Sequence, residues 1–118
     1  MSHTPPALSC VSWNIHRGRG EDGVVDPERT VRVLVEEVCD PPPDIVMLQE
    51  ADGECPPHGG FLDIGAIEAQ TGLRCAHRDA QSRWGAESHG FLGVLCFVHP
   101  AIANARVAVV DLPGHCHR

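Results

Sequence analysis

Two side chains far apart in the sequence, the amide of Asn14 and the carboxylate of Glu50, offer the hard oxygen donors that Mg²⁺ or Mn²⁺ accepts. Mg²⁺ keeps several of its waters, so two protein oxygens can suffice. An ion held between them could polarise a phosphoryl oxygen and lower the pKa of a bound water. The next residues in the chain, His16 and Arg17, are candidates for substrate phosphate, the arginine because its planar fork suits two oxygens at once. Each position also has a plainer use. Asn14 suits a strand cap, Glu50 a solvated rim, and His16-Arg17 a loop that exposes both.

Convergence of Asn14 and Glu50 requires particular elements around them. Leu8 to Ile15 (LSCVSWNI) mixes β-branched and aromatic residues between Pro5-Pro6 and a glycine-rich stretch, and reads as a first strand. Asp26-Pro27-Glu28 is a helix start: the aspartate caps free N–H groups, proline fits the first helical position, and the glutamate favours the positive end of the dipole. Val31, Leu34, Val35 and Val38 then fall on one helical face, and Asp40 followed by three prolines ends the helix. Ile45 to Leu48 is a short unbroken apolar run, as expected of a strand covered on both faces. Strand, helix, strand implies two parallel strands with a right-handed crossover. Asn14 and Glu50 would then occupy equivalent C-terminal strand ends, where open α/β sheets bind ligands.

Further on, Phe61 to Thr71 reads as a helix ended by Gly72, Leu73 to His77 as a third strand, and Arg78 to Gly90 as a polar loop. Phe91 to Val98 and Ala105 to Leu112 read as an antiparallel hairpin added to the sheet, turning through Pro100. Asp52 could accept a hydrogen bond behind the metal ligands, but an exposed position after its strand is the plainer expectation; Arg83 and Trp84 of the polar loop could stack on a base or sugar, the plainer use of Trp84 being to cover the sheet edge.

The chain has 118 residues and a net charge of −7, and its nine cations are all arginines. Without a basic run it does not resemble a non-specific duplex binder. Net acidity leaves phosphate-bearing substrates open if a metal ion supplies positive charge. No apolar stretch approaches the roughly eighteen residues of a membrane span and the first residues do not resemble a secretory signal, so the default expectation is the cytoplasm. The six cysteines are spread evenly and never form C-x-x-C, which favours reduced thiols, with Cys10, Cys75 and Cys96 expected as small buried hydrophobes. His115-Cys116-His117 is the tightest group of soft ligands, but has no second ligand pair at finger spacing.

The segments Ser12 to Gly18 (SWNIHRG), Gly23 to Arg29 (GVVDPER) and Asp44 to Asp52 (DIVMLQEAD) together resemble the opening of the endonuclease/exonuclease/phosphatase superfamily, which has the DNase I-like fold. Gly90 to Pro100 (GFLGVLCFVHP) and Val110 to Pro113 continue the likeness more loosely. Gly93 and Val94 stand where the pattern has asparagine and alanine, and Val98 where it has arginine. The resemblance implies an α/β protein: half of a four-layer DNase I-like sandwich, with a mixed sheet and flanking helices. It implies metal-binding and catalytic roles for Asn14 and Glu50, with Mg²⁺ or Mn²⁺ as cofactor. The substrate would be a phosphoester, either nucleic acid or a small phosphate ester.

The superfamily's later motifs, G-D-x-N and a final S-D-H carrying the general base, do not occur in these 118 residues. The expectation is therefore a partial domain over 1–118, its N-terminal half, with residues 1–7 as a disordered lead. Without a base in reach of the attacking water, metal ligands alone lose orders of magnitude in rate. The alternative expectation is a catalytically silent truncated or split protein. It would act through self-association or another chain, because a half-sandwich leaves one sheet face and one edge open.

Overall fold

Side chains alternate across a pleated strand, so burial along a strand reveals which face of the sheet is covered. In the computed structural model Val46 and Leu48 are buried, as are Leu95 and Phe97 of a neighbouring strand. Their register pairs Val46 with Phe97 and Leu48 with Leu95, so all four share one covered face. The structure describes residues 7–102 and 107–110. The chain forms a small mixed α/β domain with a sheet of β1 (Cys10–Asn14), β2 (Ile45–Gln49), β3 (Arg74–Cys75) and β4 (Leu95–Val98), in spatial order β1-β2-β4-β3. β1 and β2 are parallel, from Cys10 opposite Ile45 to Asn14 opposite Gln49. β4 runs antiparallel to both β2 and β3.

The connection between the parallel strands is the expected helix, α1 (Pro27–Val33), which continues as a wider π-type turn over Leu34–Val38. Asp26 caps it, its Oδ1 accepting the Arg29 N–H at 3.1 Å. Val31 and Leu34 point into the core, with Val35 and Val38 partly buried beside them. Asp26→Ala should cost about 1 kcal/mol of stability, seen as a lower urea midpoint with an unchanged slope. A second helix, α2 (Ile64–Thr71), starts three residues later than Phe61 because Asp63 is its cap, accepting from the Ala66 N–H at 3.0 Å. Gly72 ends it in the left-handed region at φ 77°, with its N–H on Glu68 O at 2.9 Å.

The third strand is shorter than the five residues read from the sequence, and His77 supplies the reason. Ala76 N–H reaches Cys96 O at 2.9 Å, but the Cys96 N–H goes to His77 Nε2 at 3.0 Å instead of returning to Ala76. The imidazole replaces a ladder carbonyl, and its Nδ1–H donates to Ser82 O at 2.7 Å. The ring thus pins the following loop to the strand it terminates.

The expected strand from Phe91 begins only at Leu95. Phe91 and Val94 exchange backbone hydrogen bonds of 2.9 and 3.0 Å around Leu92 and Gly93, whose φ values of 47° and 88° make a primed turn. β4 then enters between β2 and β3 rather than forming a hairpin with the segment after Pro100. Of that segment only residues 107–110 are described, and they carry no strand; the remainder lies outside the described residues, as do His115-Cys116-His117 and residues 1–6 of the expected lead. Ala7 is exposed. No helix among the described residues is long and apolar enough to cross a membrane.

The five described cysteines are free thiols. Burial pushes the thiols of Cys39, Cys75 and Cys96 up. Cys10, expected inside, is exposed, because it starts an edge strand and faces away from Val46. Thiolate is the reactive form, so brief iodoacetamide treatment of native protein should label Cys10 and Cys55 well before Cys39, read by peptide mass spectrometry.

Candidate functional site

The parallel register that sets Asn14 beside Gln49 leaves Glu50 one residue beyond the end of β2. Backbone pairing persists past the strands: Ile15 N–H donates to Gln49 O at 3.0 Å and Arg17 N–H to Glu50 O at 3.1 Å. To do so, the chain puts His16, Arg17 and Glu50 in the left-handed region, with φ of 52°, 53° and 56°. For non-glycine residues such conformations cost on the order of 1 kcal/mol or more each, and they persist where surrounding contacts enforce them. Here the contacts are side-chain ones. Asn14 Nδ2 donates to Glu50 Oε2 at 2.7 Å, and Asn14 Oδ1 accepts the His16 N–H at 2.9 Å. Arg17 donates to Glu50 Oε1 at 3.2 Å and, through Nε, to Asp52 O at 3.1 Å.

Asn14, Arg17 and Glu50 line one cleft of about 750 Å³, together with Glu54, His58 and the Leu92–Gly93 turn. His16 does not join them: it is exposed and lines the adjoining groove with Arg19 and Arg29. Its contribution to the cluster is its backbone N–H.

Asp52 corrects an expectation. Read from the sequence as exposed, it retains only 2% of its surface. The chain after β2 folds back on itself, with Ala51 N–H on Gly93 O and Gly53 N–H on Gly59 O, both at 2.9 Å, which encloses the carboxylate. Neither of its oxygens has a hydrogen-bond partner among the described residues. Its compensation is the charge of Arg17, which stands 3.6 Å from Oδ1, with the polar Nδ1–H of His58 3.9 Å from Oδ2. Removing the proximal cation would leave a buried charge in low dielectric, where Coulomb energies are large.

No motif or spacing singles out His58. Its only local signal is the turn-rich run Cys55-Pro56-Pro57-His58-Gly59-Gly60. Its Nδ1–H donates to Gly53 O at 2.9 Å, which fixes the ring at the cleft wall. Trp84 sits edge-on to both His58 and Phe91, with ring centroids 6.3 and 5.5 Å apart. It stays exposed beside the turn that leads into β4.

Glu50 retains accepting lone pairs on both oxygens, and Asn14 Oδ1 one beyond that used by His16. These oxygens fit in type a hard divalent ion that keeps most of its waters. They do not suit zinc, which favours nitrogen and sulfur and fuller coordination by protein. No family model matches the chain, and neither does any curated protein or solved structure.

Proposed function

We propose that the Asn14–Glu50 cleft is the metal-binding part of a divalent-metal-dependent phosphoester hydrolase, in a chain forming the N-terminal half of an endonuclease/exonuclease/phosphatase-type sandwich. The observation that carries this reading is the 2.7 Å contact between Asn14 and Glu50 at adjacent parallel strand ends, 36 residues apart in sequence. The strained backbone on both sides of that contact and the resemblance of the flanking segments support it.

Glu50 would hold Mg²⁺ or Mn²⁺ directly, with Asn14 Oδ1 as the second donor. Such an ion supplies Lewis acidity toward a phosphoryl oxygen and toward an attacking water. The protein's own residues do the positioning. Asn14 fixes the rotation of the Glu50 carboxylate through Oε2, and Arg17 fixes it through Oε1. The N–H groups that Arg17 does not spend on Glu50 and Asp52 are suited to non-bridging phosphate oxygens. The wall formed by His58 and Leu92–Gly93 restricts where a substrate can lie.

Calorimetric titration of Mg²⁺ or Mn²⁺ tests the reading. Saturable heats are expected for the native chain and none for Glu50→Ala; indistinguishable isotherms would overturn it.

A second reading has an observation of its own. Ile45, Met47 and Val98 alternate onto the sheet face away from the Val46/Phe97 core, and remain half-exposed among the described residues. In that reading the chain is catalytically silent and associates through this face. A dimer by size exclusion, with no metal-dependent cleavage of a phosphodiester panel, would favour it; a monomer that turns over would exclude it.

A further inference from the structure

At the opposite edge of the sheet from Asn14 and Glu50, a cleft of about 610 Å³ opens between α2 and β3. Arg74, Arg78 and Arg83 line it, so three of the nine cations of a chain with net charge −7 gather at one place. The single carboxylate lining it is Glu68, whose Oε2 already accepts the Cys75 N–H at 2.9 Å. Among the described residues none of the three arginines forms an ion pair, whereas Arg17 and Arg29 both do. Gathering like charges without a counter-ion is unfavourable, and a pocket of one sign concentrates ions of the other.

Arg83 enters the cleft from a half-buried position. Its Nε is shut off from solvent and, like His89 Nδ1 in the same cleft wall, has no hydrogen-bond partner among the described residues, a state that costs about 1–3 kcal/mol per donor. The backbone below it is fixed: Ser82 N–H and Arg83 N–H close a tight turn onto Asp79 O and Ala80 O at 3.0 and 3.2 Å. The His77 ring anchors the same turn through Ser82 O. The side chain is therefore presented from a rigid base, the arrangement that reduces the ordering cost of binding. Beside it, burial and the Arg83 charge hold the His89 imidazole below its ordinary pKa, so near neutrality it adds no further positive charge.

We propose that this cleft is a binding site for a phosphate group, held by the guanidinium groups of Arg74, Arg78 and Arg83. Tetrahedral phosphate oxygens match the terminal N–H groups of guanidinium forks, which a spherical halide does less well. The site is separate from the Asn14–Glu50 cleft and does not depend on the hydrolase reading. It has two candidate sources of ligand, a free small phosphate and the phosphodiester backbone of a single-stranded nucleic acid.

Inorganic phosphate titrated into the full chain at constant ionic strength, without divalent ions, tests the site by calorimetry and by NMR shifts at His89. Saturable binding is expected, weakened about tenfold or more by Arg83→Gln, which removes charged hydrogen bonds. Arg32→Gln, at an exposed arginine that lines neither cleft, should leave the affinity unchanged. Equal affinity in the native chain and Arg83→Gln, or an equal loss of binding in Arg32→Gln, would overturn the proposal. Arg78→Gln, at an exposed position, provides the same comparison if Arg83→Gln folds poorly. A short oligothymidylate binding at least about tenfold more tightly than phosphate, still sensitive to Arg83→Gln, would identify the backbone as the source. No gain over phosphate would identify a free small phosphate.

Discussion

Phe97→Ala is expected to remove most of the stability of this chain. Phe97 is fully buried in β4, with Val46 of β2 opposite on one side and Cys75 of β3 on the other. Among the described residues it is the largest fully buried side chain, and it belongs to the same core cluster as Leu34 and Ile67 of the helices. Truncating a buried phenylalanine costs about 3–5 kcal/mol, through lost transfer free energy and the cavity left behind. Whole domains are stable by only about 5–15 kcal/mol, and small ones lie toward the low end. Urea denaturation followed by circular dichroism should therefore show a sharply lowered midpoint, or no folded baseline. Met47→Ala provides the contrast. Met47 lies on the half-exposed face of the same sheet, and its loss should cost clearly less. A cost for Phe97→Ala below that for Met47→Ala would mean that the covered face has been misassigned.

Arg17→Ala should cost about 2–3 kcal/mol, more than a surface ion pair and less than a fully buried one. The loss is not that of one strong bond. Arg17 is 3.6 Å from Asp52 and its side chain is 28% exposed, whereas that of Asp52 is 3% exposed and has no hydrogen-bond partner among the described residues. Deleting the arginine leaves that carboxylate buried beside only the more distant His58. The penalty belongs to the stranded charge, so it should shrink when the charge is removed as well. In a double-mutant cycle, Arg17→Ala should be clearly less harmful in an Asp52→Ala background, with a coupling of at least about 1 kcal/mol. Additive effects would show that Arg17 acts through Glu50 alone. The cycle reads folding stability without divalent ions, so it stands apart from the metal titration.

Much of the candidate site could be read from the residues because it rests on local rules. Asp26-Pro27 starts a helix, the triple proline after Asp40 stops one, and two short apolar runs flank it. Those signals suffice to make β1 and β2 parallel neighbours, and the register then brings Asn14 to Glu50. Asp52, His58 and Arg83 were not legible in that way. Nothing in the run from Ala51 to Gly60 shows that its backbone will fold back and pair Asp52 with Gly60. The burial of Asp52 and the placement of His58 follow from that pairing. In the same way, the polar stretch from Arg78 to Gly90 gives no sign that His77 ties it down and turns Arg83 toward a cleft.

By itself the sequence determined the β-α-β unit, the Asp26 cap of the first helix, the Gly72 end of the second and the two strand-end side chains, because propensity, capping and apolar periodicity act within a few residues. Only the tertiary structure decided the insertion of β4 between β2 and β3, the two-residue length of β3, the enclosure of Asp52 and the gathering of three arginines. The first three depend on a partner distant in sequence: β2 for β4, Cys96 for His77, and Gly93 for Ala51. Such contacts form only once the core around Phe97 has brought the segments together, and the electrostatics of both clefts then follow from what the core has placed beside them.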